Sequence, residues 1–192
     1  MAVTPLATSD DVAELLGRDL TSSEVTQVDA ILVKASELFR REARQLFTPG
    51  ESATRLKATG GEVHLPQSPV ISVSSVVHYR TARPVPYTRW QQVLQVPTLT
   101  NSDFVVVTYA HGSQTVPDLV RETVADVARK VFEIDPRARA GVVQTAEGTG
   151  PFTGSESYAA WATGGQTMLS PDDKATARSF RIKAPRSWVM SS

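Results

Sequence analysis

The sequence predicts an α+β fold with a helical core of three to four helices, a β-rich insert and an extended C-terminal arm. Apolar residues recur every three or four positions over two stretches, which is typical of amphipathic helices. Between these two main helices, from about residue 54 to 110, β-branched residues and prolines replace the helical period. We therefore expect three parts: a core with its insert over 1–136, an irregular Gly/Ser/Thr-rich interaction segment over 137–169, and a C-terminal helix with a basic tail over 170–192.

The composition is that of an ordinary globular chain, with 192 residues of which 41% are hydrophobic. Twenty basic and twenty acidic residues balance, which argues against a protein whose main task is to grip nucleic acid without regard to sequence. The absence of Cys excludes disulfides, thiol catalysis and Cys-ligated zinc. No window approaches the ~20 apolar residues of a membrane span, and the N-terminus lacks the features of a signal peptide. We expect no membrane segment and a cytoplasmic protein where it is made.

Two helices are predicted near the N-terminus. The first covers about residues 10–16, with Thr8 or Ser9 as its cap and Gly17 at its end. The second begins at the capping-box sequence of residues 21–24 and is expected to stop at 48–50, Thr-Pro-Gly. Its apolar stripe comprises Val25, Val28, Ile31, Leu32, Ala35, Leu38, Phe39, Ala43 and Leu46.

The middle of the chain reads as strands. Residues 54–66 predict two short strands around a Gly-Gly pair, and residues 70–79 predict a longer strand entered through Ser-Pro. Residues 87–96, bracketed by prolines, have the pattern of a hairpin arm. Residues 103–110 are apolar on both faces, which indicates a buried strand.

Two further helices are predicted. Pro117 in a first turn opens the third helix, and Asp135-Pro136 closes it. Within the irregular segment, residues 142–145 are suited to add one strand to a sheet edge. The sequence Ser-Pro-Asp-Asp at 170–173 starts a last helix that runs to about Arg181.

No constellation suited to catalysis, metal binding or cofactor binding is found. The chain has three isolated histidines, His64, His78 and His111, without the paired spacing of a metal site. The Ser-containing turns at 111–113 and 154–156 do not form a strand-to-helix elbow. The Gly-rich stretch 148–154 lacks the Lys-Ser/Thr ending of a phosphate loop. Acid pairs at 10–11 and 172–173 lie in first turns, where they offset the helix dipole. We expect no enzyme, no metal and no cofactor.

Large aromatic residues occur where a solvated linker should have none. Three lie in the segment 137–169, and two lie in the predicted hairpin arm. The arm could stack a nucleic-acid base on Trp90, but packing into a neighbouring subunit is favoured. The expected inter-subunit residues are Tyr87, Trp90, Phe152, Tyr158 and Trp161.

The C-terminus is basic and amphipathic, since no acidic side chain follows Asp173. One interpretation is a solvated tail. The other is a docking peptide, because Trp and Arg are favoured interface anchors and cations seek an acidic surface. The candidate docking residues are Lys174, Arg178, Phe180, Arg181, Ile182, Lys183, Arg186 and Trp188.

In the order and spacing of several short segments, the chain resembles the head-to-tail adaptor (connector, or head-completion) proteins of long-tailed bacteriophages, especially those of actinobacteria. The match covers nearly the full length. It is carried by LATSDDVAELLG at 6–17, RREAR at 40–44, LPQSPVISV at 65–73, VTYAHG at 107–112, PDLV at 117–120, and residues 148–158 and 169–171.

The resemblance implies a structural protein of the virion neck, assembled in the host cytoplasm. Such adaptors form a ring, usually of twelve copies, beneath the portal protein. Their C-terminal helix and tail engage the portal, so the docking residues above become portal-docking residues. The opposite face receives the stopper, and DNA passes through the lumen without specific binding. Two alternatives stay open: another neck ring such as a stopper or tail terminator, and a DNA-binding protein of the small-terminase type.

Overall fold

The structure, a computed structural model, describes residues 4–134, 144–149, 152–157 and 167–182. For 144–149 and 152–157 it describes the backbone alone. The described residues form four helices and eight strands, which confirms the predicted α+β class. None of these helices combines the length and apolar character needed to cross a membrane.

The chain divides into two compact units, which we call the helical unit and the β unit. The helical unit takes Met1–Glu42 and Pro117–Arg178, and the β unit takes Ala43–Val116 and Ser179–Ser192. The β unit is thus inserted between the second and third helices, as the sequence predicts.

The helices begin where their capping residues lie. They are α1 (Ser9–Leu16), α2 (Ser22–Ala43), α3 (Asp118–Phe132) and α4 (Pro171–Ser179). At α1 the Asp11 amide donates to Thr8 Oγ1 at 3.3 Å and the Thr8 amide donates to the Asp11 carboxylate at 2.7 Å. The same reciprocal arrangement joins Thr21 with Glu24 and Ser170 with Asp173. Each box pairs helix-start donors that would otherwise lack partners.

The core of the helical unit is formed by one stripe from each main helix and by the segment before α1. Ser36, fully buried on α2, accepts a hydrogen bond from the Leu6 amide at 2.8 Å. The Arg40 guanidinium donates to the Thr4 carbonyl at 2.7 Å. These two bonds fix the N-terminal segment against α2. The buried apolar residues include Leu6, Val12, Val28, Leu32, Ala35, Phe39, Val120, Val124, Val127 and Ala128.

Helix α2 ends about five residues before the predicted stop. Arg44 adopts a left-handed conformation (φ 56°), which breaks the helical hydrogen-bond pattern, and Phe47 does the same (φ 63°). Leu46 is therefore exposed and does not continue the apolar stripe. Gln45 instead donates to the Pro66 carbonyl at 2.8 Å and accepts from the Ser68 amide at 3.0 Å. These bonds hold the residues after α2 in place within the β unit.

The β unit contains two antiparallel three-stranded sheets. One has the order β1 (Gly50–Lys57), β6 (Phe104–His111), β3 (Val70–His78). The other has the order β2 (Glu62–His64), β5 (Val93–Gln95), β4 (Thr88–Trp90). Both contribute to one apolar core, which consists of Ala58, Val63, Leu65, Val76, Val85, Leu94, Val96, Val105, Val107 and Tyr109.

The hairpin predicted over 87–96 is confirmed, since β4 and β5 pair in antiparallel register. The strand predicted over 103–110 is also present, but its burial alternates between buried and half-buried positions. It lies at the centre of its sheet, and only one face packs in the core. The two strands expected over 54–66 exist as well, although β1 starts earlier, at Gly50, and pairs with β6 instead of with β2.

Part of the segment expected to be irregular forms a hairpin. Strands β7 (Gln144–Thr149) and β8 (Phe152–Ser157) pair antiparallel with each other. Thr145, Thr149 and Thr153 favour extended backbone, so the local sequence allows this pairing. The strand expected over 142–145 therefore begins at Gln144 and joins a new two-stranded sheet, not the edge of an existing one.

Among the glycines for which the structure describes the surroundings, Gly112 leaves the least room for a side chain. Its φ is +93°, and a Cβ there would lie 2.1 Å from the Thr48 carbonyl oxygen. We expect Gly112→Ala to lower the free energy of unfolding by about 3 kcal/mol or more, because strain and overlap add. Gly60→Ala is the matched control, since Gly60 has φ +62° but no atom within 4 Å of the added methyl. It should cost only about 1 kcal/mol. Equal losses in urea denaturation would show that the close approach is unimportant.

Candidate functional site

The C-terminal helix is packed into the helical unit by one face. Asp173 and Ala177 are buried, whereas Lys174 is half-buried and Arg178 is exposed. Arg178 forms an ion pair with Glu42 of α2. The two predicted docking residues on α4 therefore lie on its more accessible side, while the buried side holds the helix in place.

The chain after α4 is anchored in the β unit. The Phe180 ring packs edge-to-face on Phe47, with the centroids 5.5 Å apart. Arg181 and Ile182 are half-buried and line a cavity of about 300 Å³ whose other walls are Arg44, Gln45, His64, Leu65 and Pro66. Three of the predicted docking residues thus contact the protein itself. The others, Lys183, Arg186 and Trp188, lie outside the described residues.

The β4–β5 hairpin exposes a tryptophan on a fixed backbone. Trp90 is 71% exposed, the highest value among the large hydrophobic residues described. The Arg89 guanidinium donates to the Val70 carbonyl at 2.9 Å, and the Tyr87 hydroxyl donates to the Val73 carbonyl at 3.2 Å. Both acceptors lie on β3, at the edge of the first sheet, so these side chains cover that edge. The hairpin is pinned while the indole of Trp90 stays accessible.

The residues leading into this hairpin are basic. No Asp or Glu occurs between Glu62 and Asp103, whereas residues 79–90, which we call the basic arm, contain three arginines. Arg80 and Arg83 are exposed, and neither makes an ion pair within the described part of the chain. The basic arm therefore combines unpaired positive charge with exposed aromatic surface. Of the other expected inter-subunit residues, Phe152 begins β8, and Tyr158 and Trp161 lie outside the described residues.

A groove between α1 and α3 was not predicted from the sequence. It has a volume of about 400 Å³ and is lined by Asp11, Glu14, Leu15, Arg121, Glu122 and Ala125. We call it the acidic groove, because three carboxylates face one guanidinium. Arg121 is already engaged, at 3.2 Å from Asp118 and 3.7 Å from Asp11. The acidic sequence of α1 was visible, but only the packing of α1 against α3 brings Glu122 beside it.

A buried polar pair joins two strands of the first sheet. His111 Nε2 lies 2.8 Å from Ser52 Oγ, and the His111 side chain is 1% exposed. The Tyr109 ring packs against the imidazole with a centroid distance of 5.4 Å. Sequence reasoning treated this histidine as isolated, because Ser52 is 59 residues away. A Ser–His contact can activate a nucleophile, but here the imidazole is closed off in the sheet. The pair links β1 to β6.

Comparison with solved structures finds similar folds in particle necks. A chain from the neck of the empty GTA (gene transfer agent) particle, computed with C6 symmetry, matches with a TM-score of 0.55 and 14% identity over 97% of this chain and 95% of that chain. A chain from the neck of the native GTA particle, computed with C12 symmetry, gives 0.45 and 15% over 69% and 84%. No protein-family model and no curated protein matches the sequence. At this identity the first likeness establishes a shared fold.

Burial of His111 should make the free energy of unfolding depend on pH. Burial lowers the pKa of His111 below its usual value, so the folded protein favours the neutral ring. Below about pH 6.5 the unfolded chain binds this proton more readily, and the free energy of unfolding should fall by up to about 1.4 kcal/mol per pH unit. His111→Gln should flatten this slope between pH 7 and 5 in urea titrations. Ser52→Ala is the control. It should cost about 1 kcal/mol yet keep the slope, and a slope unchanged in His111→Gln would contradict the assignment.

Proposed function

We propose that the protein is a head-to-tail adaptor of a phage or phage-like particle, a structural neck protein that forms a ring of twelve copies and joins the portal to the stopper. The observation that carries the proposal is the fold likeness to a chain of a GTA particle neck, which spans 97% of this chain and so includes the inserted β unit. That neck was computed with C6 symmetry, with which a ring of twelve copies is compatible. DNA would pass through the lumen without specific binding.

The helix content favours an adaptor over a stopper or tail-terminator ring. A stopper is expected to be dominated by a β-barrel, whereas this chain has helices of 22 and 15 residues that form a core of their own. The β unit here is an insert between two helices. This arrangement supports an adaptor with an enlarged β domain.

A small-terminase-like DNA-binding role has less support. The net charge is zero, and one of the three arginines of the basic arm, Arg89, is used in hydrogen bonds to β3 carbonyls. Counterion release by clustered cations, which drives non-specific DNA binding, would be weak for such a surface. The same considerations support passage of DNA without retention.

The portal-docking element is proposed to lie in residues 174–188. Two features support this. Every charged side chain after Asp173 is basic. The chain is anchored to the β unit by Phe180, Arg181 and Ile182, just before the remaining docking residues. Anchoring restricts where the following residues can go, which lowers the entropy lost when they bind a partner.

Truncation tests this docking element. A variant that ends at Ile182 keeps α4 and its buried residues Asp173 and Ala177, so we expect an unchanged melting temperature. It should lose attachment to portal-bearing capsids of the same particle, measured by co-sedimentation, because Lys183, Arg186 and Trp188 are removed. The full-length protein is the positive control. If the truncated protein still co-sediments, these three residues do not dock the portal.

The ring itself is tested by electron microscopy of portal complexes. Class averages should show a ring with twelve-fold or six-fold symmetry beneath the portal. Salt-sensitive binding to free DNA without ring formation would instead favour the terminase-like alternative.

A further inference from the structure

We propose that the acidic groove between α1 and α3 of one subunit receives the basic arm of the neighbouring subunit, with Trp90 at the centre of the contact. This inference rests on the proposed ring and names the surfaces that would build it. The occupant is a second copy of this chain.

The groove provides unpaired negative charge beside an apolar surface. Glu14 and Glu122 are exposed, and within the described residues neither forms an ion pair. Leu15, between them in the lining, is 46% exposed. A partner that brings two cations and an apolar side chain would satisfy this site. Its volume of about 400 Å³ is within the range of pockets that hold a compact group.

The basic arm provides the complementary features. Arg80 and Arg83 offer two unpaired guanidinium groups, which matches the two unpaired carboxylates of the groove. Trp90 offers a large apolar surface, 71% exposed, on a hairpin that Arg89 and Tyr87 hold against β3. Tryptophan and arginine are among the residues that dominate interface energies.

The combination favours contact between copies of this chain in a ring. The groove and the arm differ, so a contact between them is heterologous, and each subunit can donate its arm to one neighbour and receive an arm from the other. Two grooves facing each other would place acid against acid, which is unfavourable. Nucleic acid could bind the basic arm, but its phosphates would be repelled by the carboxylates of the acidic groove.

Disulfide cross-linking tests the contact directly, because the chain has no native Cys. One variant carries Leu15→Cys in the groove. A second carries Thr88→Cys, on the same face of β4 as Trp90, which is retained. The two are mixed and assembled on portal, then oxidised. We expect a covalent dimer, and separate chains ensure that it links two subunits. The control mixes Thr88→Cys with Gln27→Cys, an exposed site on α2, and should give no dimer. Rings without a dimer in the first mixture would overturn the inference.

Charge exchange tests the electrostatic part. Glu14→Arg with Glu122→Arg should reduce ring formation at least tenfold, and Arg80→Glu with Arg83→Glu should do the same, since each change places like charges together. The four changes in one chain restore opposite charges at every contact and should restore the ring. Circular dichroism checks that all variants fold. A folded fourfold variant that fails to form rings would overturn the inference.

The two proposals fail in different ways. If the wild type forms rings but neither charge set affects them, the adaptor proposal stands and the groove–arm contact is wrong. If the arm variants keep rings but lose affinity for DNA, the arm contacts nucleic acid and the contact is also wrong. If the wild type forms no ring on portal, both proposals fall.

Discussion

The pairing of β1 with β6 is the constraint on which this architecture depends. Gly50, directly after α2 and its short exit, pairs with His111, shortly before α3. The insert therefore leaves and returns at adjacent points. The entropy lost in closing a loop grows only slowly with the length of the loop. The helical core can therefore form although more than seventy residues of chain lie between α2 and α3. Gly112 and the Ser52–His111 pair lie at this junction and secure it.

Each of the two units has a core of its own. The helical unit buries its stripes within itself and is started by three reciprocal caps, so its stability is local. The β unit has its own apolar core and places its most exposed aromatic residue on a braced hairpin. A subunit of this kind can offer two unlike surfaces without either being needed for folding. A heterologous contact uses two different surfaces of each subunit.

The sequence was sufficient for the features set by neighbouring residues. The cap of α1 at Thr8 or Ser9, the capping box at Thr21, the helix start at Ser170 and the 87–96 hairpin follow from local sequence alone. Features that depend on contacts between distant residues could not be predicted from the sequence. The exit from α2 at Arg44 depends on Gln45 reaching Pro66 and Ser68, and the pairing partner of β1 lies about fifty residues away.

The interaction surfaces also combine features that local sequence indicates with features that depend on distant residues. The sequence indicated Trp90 as a candidate inter-subunit residue, which stays a prediction, whereas the bracing by Arg89 did not appear in any local pattern, since its acceptors are 18 and 19 residues away. The acidic groove exists because α1 meets α3, more than a hundred residues later in the chain. Charge and aromatic content indicate that a surface binds something, but tertiary contacts decide its shape.

The contact of Phe180 with Phe47 has a geometric consequence. It fixes the origin of the chain that follows, and an extended chain advances at most about 3.6 Å per residue. Trp188 is six positions beyond Ile182. Its backbone therefore cannot lie farther than roughly 22 Å from that of Ile182. Any acceptor for this indole must fall inside a sphere that exceeds this radius only by the length of the side chain and of one hydrogen bond, which bounds the search for it on a partner's surface.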